Sequence, residues 1–323
     1  APDDPAFERT LARYFPEPLG RFGEEMRHHR LRREIIATVI ANDMVNMAGP
    51  TFALRAAASA EADVGAVVTA FEAARRVFRL DALWEDVAAL DGQAPAAAQT
   101  ALFRELALFQ RRQTFWLARR AGRGGVTVDA LVDAYQPAAD SLRGEGAGLL
   151  SPFERGVAAE RRAEFVNAGA PEALAAAVSC LRPLTAVSDV ADLARQRGWP
   201  VAPTARIYHE VGAAFGLDRL RAAAGQLRSP DHFERLAVRR LIEDLLAEQA
   251  LLTDAAMRTA GDPGSAGTQT QAAATVAGWA AAQGEAAAGV RRTLDEIAGS
   301  GGGWSFAKLT IANAAVRTLA QAV

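Results

Sequence analysis

The most informative stretch of the chain is LRREIIATVIANDMVNM, residues 31–47. Its apolar side chains recur at helical spacing and form one broad arc, which predicts an amphipathic helix buried on one side. At about 100° per residue, Asn42 and Asn46 project within roughly 20° of Ile35. Asp43 falls on the same apolar arc. We therefore expect three polar side chains on the face of this helix that should be buried.

These polar side chains leave two interpretations open. A buried amide or carboxylate costs several kcal/mol unless it is hydrogen-bonded. Either the three residues belong to a satisfied internal network, or the face docks on a part of the protein that is absent from this chain. For the docking interpretation, the candidate contact residues are Arg32, Arg33, Asn42, Asp43 and Asn46.

The rest of the chain also reads as helix, because Ala, Leu, Arg and Glu dominate and no period-two run of β-branched residues occurs. Glycine-rich breaks stand at residues 122–125 and 299–303, and Thr127 and Ser151 are predicted helix N-caps. We predict an all-α, multi-helical fold of packed helical hairpins. It should end in a bundle of three long helices, and we divide the chain into subdomains at residues 1–121 and 122–323. The predicted bundle helices are 229–260, 272–298 and 304–320.

Composition narrows the possible partners and compartments. The 323 residues are 50% hydrophobic, enough for a sizeable core, and the net charge of −2 predicts neither a nucleic-acid nor a membrane partner. The longest apolar stretch, near residues 272–282, is mostly Ala and Gly, so we predict no membrane span there. A single cysteine and no secretory signal are typical of a reducing cytoplasm.

The residues that carry chemistry do not form a recognisable catalytic motif. The glycine runs follow no strand and lack GxGxxG spacing. The histidines His28, His29, His209 and His232 lack metal-ligand spacing, so we expect them to be exposed or hydrogen-bonded. We expect Cys180 to be buried and inert. The inventory therefore predicts a non-catalytic helical scaffold, with no catalytic, cofactor-binding or metal-binding residue.

Two segments resemble a known family. They are RYFPEPLGRFGEEMRHHRLRREIIATVIANDMVNMAGPTFALR at residues 13–55 and ARRVFRLDALWEDVAALDGQAPAAAQTALF at residues 74–103. Both are similar to the region beyond the catalytic domain in the large bacterial NAD-specific glutamate dehydrogenases. Beyond about residue 121 the similarity becomes diffuse, although helical content and length still suit the same C-terminal region.

The resemblance implies a parent enzyme that oxidises L-glutamate with NAD to 2-oxoglutarate, ammonium and NADH. In that family the catalytic domain lies upstream and uses lysines, an aspartate and a glycine-rich turn. This chain has one lysine, Lys308, and no such turn, so no catalytic or NAD-binding residue is carried over. NAD is the cofactor of the parent enzyme, and this chain alone should be inactive.

Three roles remain open for such a region. The first is structural, with the upstream catalytic domain of the same polypeptide and the other subunits of a homo-oligomer as partners. The second is regulatory, through an amino-acid effector bound in a polar pocket. The third is that of a free-standing helical adaptor that binds a protein partner, in which case the resemblance misleads.

Overall fold

A computed structural model describes residues 5–122, 125–229, 231–261 and 263–323. These residues form α-helices and short 3₁₀ helices, and none of them lies in a strand, which confirms the predicted all-α class. The glycine break at 122–125 and the predicted helix start at 229–230 fall partly outside the described residues. The helices are α1 Glu8–Ala12, α2 Gly23–Arg27, α3 Arg32–Ala48, α4 Phe52–Ala60, α5 Val64–Val77, α6 Leu80–Ala88, α7 Ala96–Ala121, α8 Val128–Glu145, α9 Pro152–Asn167, α10 Glu172–Ser179, α11 Val187–Arg197, α12 Val201–Ala214, α13 Leu217–Gln226, α14 His232–Thr259, α15 Gln269–Ala282, α16 Glu285–Gly299 and α17 Phe306–Ala322.

The chain divides into two compact units. Unit 1 comprises Ala1–Ala139 and Arg161–Ser188, and unit 2 comprises Asp140–Glu160 and Asp189–Val323. Each unit is therefore assembled from two separate segments of the chain. The division into subdomains at residue 121 stays a prediction.

Helix α7 organises the core of unit 1. It packs against α5 over much of its length and also contacts α3, α4 and α6. Leu102 and Leu106 of α7 are fully buried, and the rings of Phe78 and Phe109 meet edge to face with centroids 5.0 Å apart. Helix α3, which carries the predicted contact residues, is therefore anchored on the central helix of this unit.

The core of unit 2 forms where α12 packs on α14 and α15, and where α17 packs on α14 and α16. Phe215 and Trp279 meet there edge to face, with ring centroids 5.9 Å apart. The single helix predicted at 272–298 was wrong, because α15 and α16 are separate helices. Gly284 stands between them with a φ of 53°, a left-handed conformation that favours glycine.

Two predicted helix caps are confirmed. The Ala130 N–H donates to Thr127 Oγ1 at 3.1 Å. At the start of α9, the Glu154 N–H donates to Ser151 Oγ at 3.1 Å, and the Ser151 N–H donates back to Glu154 Oε2 at 3.2 Å. This reciprocal capping box satisfies two backbone donors that have no acceptor within the helix.

One stretch, residues 172–197, is long and apolar enough to cross a membrane by length and composition alone. Half of its apolar window is buried within the structure, and the stretch consists of α10, the 3₁₀ helix Pro183–Ala186 and α11. Core helices of water-soluble proteins meet the same criterion, so this is weak evidence for a membrane span. The apolar stretch considered from sequence, at residues 272–282, lies in α15.

Candidate functional site

Helix α3 turns one apolar row towards the core of unit 1. Ile35 is buried, but Asn42 and Asn46, which project on nearly the same side, are exposed. A helical wheel ignores position along the axis, and the Ile35 side of α3 is covered only near its start. The prediction that Asn42 and Asn46 lie on the buried face was therefore wrong. The buried row is Ile36, Ile40, Met44 and Ala48.

Asp43 faces other groups of unit 1 and binds two guanidinium groups. Its Oδ2 accepts hydrogen bonds from Arg75 Nη1 at 2.8 Å and from Arg13 Nη1 at 3.0 Å. The Arg75 side chain is only 5% exposed, whereas the Arg13 side chain is 50% exposed. Asp43 thus has internal partners, one buried and one at the surface.

Arg75, on α5, is the centre of this group of charges. Its Nε donates to Asp81 Oδ1 at 2.7 Å, and its Nη1 donates to Glu72 Oε1 at 3.1 Å. The guanidinium carbon lies 6.0 Å from the centre of the Phe71 ring. The side chain therefore links α3, α5 and α6 within unit 1. The Arg75 cluster is defined as Arg13, Asp43, Glu72, Arg75 and Asp81.

Carboxylates outnumber guanidinium groups in the Arg75 cluster by three to two. Burial raises the pKa of Glu72; Arg75 opposes this rise, while Asp81 and Asp43 add to it. Burial lowers the pKa of Arg75, but Glu72 and Asp81 raise it by more, so the guanidinium stays charged. The cluster therefore holds Arg75 as a buried cation and makes ionisation of Glu72 unfavourable.

An apolar groove of about 400 Å³ runs along α3 beside the start of α5. Two of its side chains are well exposed, Val45 at 47% and Val64 at 44%. A concave apolar surface of this kind marks a binding site for a protein or a ligand more often than an isolated exposed side chain does. The groove is lined by, among others, Ile36, Ile40, Met44, Val45, Pro50 and Val64.

The predicted contact residues do not form one site. Arg32 and Arg33 stand in the first turn of α3, at least ten residues before Asp43, which is roughly 15 Å along the helix axis. Arg33 is exposed and Arg32 is partly buried. Their role as contacts to another part of the protein stays a prediction, as it does for Asn42, Asp43 and Asn46.

Sequence reasoning missed the partners that Asp43 binds. Arg75 and Asp81 lie within the second segment that carries the family resemblance, and Glu72 precedes Arg75 at the i,i+3 spacing of helical ion pairs. That spacing was a usable local signal for the Glu72–Arg75 pair. Nothing local links Arg75 to Asp43, which is 32 residues earlier in the chain.

Unit 2 contains a second buried group of charges, around Glu154. The His209 Nδ1 lies 2.9 Å from Glu154 Oε2, and Arg221 Nη2 lies 3.7 Å from Glu154 Oε1. The Ser151 hydroxyl donates to Asp218 Oδ2 at 2.6 Å, and Gln249 Nε2 donates to the Tyr208 carbonyl at 2.6 Å. Arg221 Nη1 also donates to Gln249 Oε1, which joins Gln249 to this group. The Glu154 cluster is defined as Ser151, Glu154, His209, Asp218, Arg221 and Gln249.

The electrostatics of this second cluster differ from those of the first. Burial raises the pKa of Glu154, but His209, Arg221 and the Ser151 N–H outweigh burial and lower it from 4.5 to about 2. Burial raises the pKa of Asp218, and the hydrogen bond from Ser151 opposes that rise. Glu154 is therefore ionised at neutral pH, as the anion between two basic side chains.

A serine, a histidine and two carboxylates in one cluster invite comparison with nucleophilic catalysis. A nucleophilic serine must face a substrate and give its proton to a base. Ser151 is 1% exposed, its hydroxyl caps α9, and its proton points at Asp218. His209 is 3% exposed and faces Glu154. The arrangement fits a structural cluster that joins α9, α12 and α13.

The other histidines and the single cysteine lie apart from both clusters. His28 is exposed and bonds Glu24, and His29 Nδ1 accepts the Leu31 N–H at 3.1 Å. The His232 side chain lies outside the described residues. Cys180 is exposed at the end of α10, so the prediction of a buried cysteine was wrong. Within the described part of the chain, no group of three or more His, Cys, Asp or Glu side chains has metal-binding geometry.

Comparison with known proteins identifies relatives of this chain. It is 34% identical over 263 residues to the NAD-specific glutamate dehydrogenase of Halomonas elongata, covering 81% of the chain. It is 32% identical over 253 residues to the enzyme of that name from Pseudomonas aeruginosa, covering 78%. With the Mycobacterium tuberculosis enzyme of that name, it shares 30% identity over 309 residues, which is 93% of the chain.

These relatives are much longer than this chain, which spans less than a fifth of each of them. The matched part is 16% of the Halomonas elongata protein, 16% of the Pseudomonas aeruginosa protein and 18% of the Mycobacterium tuberculosis protein. The profile of the family described as "Glutamate dehydrogenase, C-terminal" matches residues 1–318. The match extends well beyond residue 121, where the similarity seen in the sequence became diffuse. The chain belongs to the C-terminal family of the glutamate dehydrogenases.

Proposed function

We propose that this chain is a non-catalytic helical region of a large NAD-dependent glutamate dehydrogenase. In the parent reaction, L-glutamate, NAD and water give 2-oxoglutarate, ammonium and NADH, and other parts of the polypeptide bind NAD and carry out that chemistry. Support comes from relatives whose length this chain matches only to 16–18%. The sole lysine, Lys308, lies in the first turn of α17 and donates to the carbonyl oxygens of Gly301 and Gly303, which precede the helix.

The role of unit 1 in this proposal is to pack against the upstream catalytic part of the same polypeptide. The observation that carries it is the apolar groove along α3, where Val45 and Val64 are exposed. We choose the same polypeptide as occupant because the chain matches less than a fifth of its relatives' length. A covalently linked partner is present at high effective concentration, so a modest apolar surface is enough to hold it.

The predicted contact residues take different parts in this packing. Asn42 and Asn46 are exposed amides, and together with Arg32 and Arg33 they supply polar contacts around the apolar groove. The carboxylate of Asp43 already accepts hydrogen bonds from Arg75 and Arg13. Its proposed role is therefore to fix α3 on α5, so that the groove keeps its shape.

The experiment is a charged substitution in the groove of the full-length enzyme. Val45→Asp places a carboxylate in the proposed interface, and we expect faster hydrogen exchange in α3 and α4 and lower thermal stability. Leu54→Asp is the matched control, because Leu54 is 68% exposed on α4 and does not line the groove. Equal responses of the two variants would contradict docking in the groove.

The mass of the native gene product distinguishes the proposed role from the alternative, a free-standing helical adaptor. A polypeptide several times longer than this chain excludes the adaptor, and a native product of this size excludes the proposed role.

We also propose that the full-length enzyme is a cytoplasmic homo-oligomer that binds neither nucleic acid nor membranes. Native mass spectrometry, cell fractionation and binding assays with DNA and lipid vesicles test those statements.

The proposal also states that this chain has no dehydrogenase activity of its own. The purified chain should not reduce NAD in the presence of L-glutamate, as followed by absorbance of NADH. The full-length enzyme, assayed in parallel, should reduce it. Steady turnover in proportion to the concentration of the isolated chain would contradict the non-catalytic role.

A further inference from the structure

The contact between α14 and α17 in unit 2 contains a buried polar layer. Both helices present apolar side chains to the core of this unit. These are, among others, Leu245 and Leu252 of α14 and Leu309 and Val316 of α17. Along the sequence, Glu248 stands between the two leucines of α14, and Asn313 stands between the two apolar residues of α17. Glu248 is 5% exposed and Asn313 is 3% exposed, so a carboxyl group and an amide are enclosed in an apolar contact.

Hydrogen bonds cross from one helix to the other in this layer. Arg317 of α17 donates from Nε to Glu248 Oε1 at 3.1 Å and from Nη2 to Asp244 Oδ2 at 2.5 Å. With the Asn313 amide oriented so that both of its atoms are satisfied, its nitrogen donates to Glu248 Oε2 at 2.8 Å, and its oxygen accepts from Arg317 Nη2 at 3.2 Å. Both oxygens of the Glu248 carboxyl group are therefore bonded to α17.

The environment of Glu248 favours its neutral form. Its side chain is 7% exposed, so an ionised carboxylate at this position has lost most of its hydration. The cation that faces it, Arg317, is 46% exposed and is shared with Asp244, which precedes Glu248 by four residues on α14. Like charges at that spacing repel each other. A proton on Glu248 removes both the repulsion and the cost of burying a second carboxylate.

The remaining charges near this layer surround Asp244 and not Glu248. Arg240 is 70% exposed; its Nε lies 3.0 Å from Asp244, and its Nη1 lies 3.7 Å from Glu243. Within the described part of the chain, the charged groups that act on Glu248 are Arg317 and Asp244, and α12, α13, α15 and α16 add none. Burial raises the pKa of Glu248 to about 7; Arg317 opposes this rise, and Asp244 adds to it. Glu248 therefore changes its charge close to neutral pH.

We propose that Glu248 is a pH-sensitive latch between α14 and α17, closed when its carboxyl group is protonated and loosened when it is ionised. The raised pKa of Glu248 gives the sign of this effect. Its contribution to the contact is fully present below pH 4.5, and it is lost as the pH rises towards 7. Both helices belong to unit 2, so the latch does not depend on the proposed packing of unit 1.

The test is hydrogen exchange of the full-length polypeptide at pH 5.5 and 7.5, followed by mass spectrometry in α17. Glu248→Gln is the key variant, because glutamine has the shape of the protonated acid and cannot ionise. The ratio of the wild-type exchange rate to that of the variant, taken at each pH, cancels the pH dependence of amide exchange itself. In α17 we expect this ratio to rise about tenfold or more between the two pH values, since opening is linked to ionisation of Glu248. In α7 of unit 1 it should not rise.

Asp244→Asn is a second variant, in which Glu248 can still ionise. It removes the carboxylate that shares Arg317, so the ionised form of Glu248 is less unfavourable. Exchange in α17 should therefore accelerate less between pH 5.5 and 7.5 in this variant than in the wild type. If Glu248→Gln does not fold, this comparison decides alone, and equal acceleration in the two proteins overturns the proposal.

Glu296→Gln is the matched control. Glu296 is exposed on α16, the other helix on which α17 packs. The ratio of wild-type to control exchange rates in α17 should stay within about twofold at both pH values, since exposed substitutions have small effects. The proposal is overturned if the Glu248→Gln ratio in α17 does not change with pH, if it rises equally in α7, or if Glu296→Gln gives the same rise.

Discussion

The Arg75 cluster of unit 1 and the Glu154 cluster of unit 2 act on their buried glutamates in opposite directions. In the Arg75 cluster, burial and the neighbouring aspartates raise the pKa of Glu72. In the Glu154 cluster, burial also raises the pKa, but His209, Arg221 and a backbone N–H bring that of Glu154 down to about 2. The side chains of Glu72 and Glu154 are similarly buried, so the hydrogen-bond donors and charges that face each carboxylate decide whether its pKa is raised or lowered.

The opposite directions show which member of each cluster the fold depends on most. Around Arg75, one buried cation is shared by several carboxylates, so the cation is the indispensable member. Around Glu154, one anion is shared by several donors, so the anion is indispensable. Removing the shared partner of a buried ion group costs more than removing a peripheral one, because uncompensated charge is left behind.

The largest expected effect is that of Arg75→Met. The substitution leaves Asp43 and Glu72 without their buried cation, and we expect a loss of about 3–5 kcal/mol in the free energy of unfolding. Urea unfolding of the chain measures it. The control is Arg76→Met, because Arg76 is the next residue and pairs with Asp129 at 2.6 Å while both side chains are at least a third exposed. That control should cost under about 1 kcal/mol; similar losses would contradict a special role for Arg75.

Glu154→Gln should have the next largest effect, and the size of this effect depends on pH. The pKa of Glu154 is lowered from 4.5 to about 2, so its contribution is fully present above pH 4.5. That contribution, about 3 kcal/mol, is lost as the pH falls from 4.5 towards 2. The variant should therefore be less stable at pH 7 and lose less stability on acidification, as measured by urea unfolding between pH 7 and 3. The control is Glu160→Gln, because Glu160 is exposed on the same helix, and its stability should follow that of the wild type at every pH. If Glu154→Gln loses as much stability on acidification as the wild type does, Glu154 is not the stabilising anion of its cluster.

Glu72→Gln should show the opposite dependence on pH. The raised pKa of Glu72 means that its contribution is present below pH 4.5 and is lost as the pH rises through the folded-state value. We expect the wild type to lose its advantage over the variant as the pH rises above 4.5, as measured by urea unfolding across that range. Glu85→Gln, at an exposed position of α6, serves as the control. An advantage that grows with pH would contradict the balance of charges around Arg75.

Arg13→Gln should have the smallest effect. Arg13 is half exposed, and Asp43 keeps its buried bond to Arg75 when Arg13 is replaced. Exposed ion pairs contribute up to about 1 kcal/mol, and we expect the loss in unfolding free energy to stay below that. A loss as large as that of Arg75→Met would mean that the outer pair, and not the buried one, holds α3 in place.

The parts of the fold that were predictable depend on short-range pattern. The all-α class follows from composition and helical periodicity, and the caps at Thr127 and Ser151 depend on residues only three positions away. The break at Gly284 was missed, because Gln283 and Glu285 beside it and the alanines beyond them are all compatible with a continuous helix. A glycine inside a helical pattern is compatible with both a continuous helix and a break, and only its φ in the structure distinguishes the two.

The candidate site was predictable only in part. Asp43 was recognised as a polar residue on an apolar face, and it proved to bind one buried partner, Arg75, and one half-exposed partner, Arg13. Asn42 and Asn46 were placed on that face by the same periodicity, yet they are exposed. Exposure depends on which helices lie beside each turn of α3, and the order in which helices pack is not encoded in the period of one helix.

The helical class, the local caps and the family could all be inferred from the sequence, since each depends on residue types within a few positions or on similarity along the chain. Only the tertiary structure decided which side of α3 is covered, that Cys180 is exposed, and that Arg75 joins Asp43 across 32 residues. Burial and charge pairing are properties of the neighbours that folding brings together. Those neighbours also form the α3 groove, which no local motif predicts.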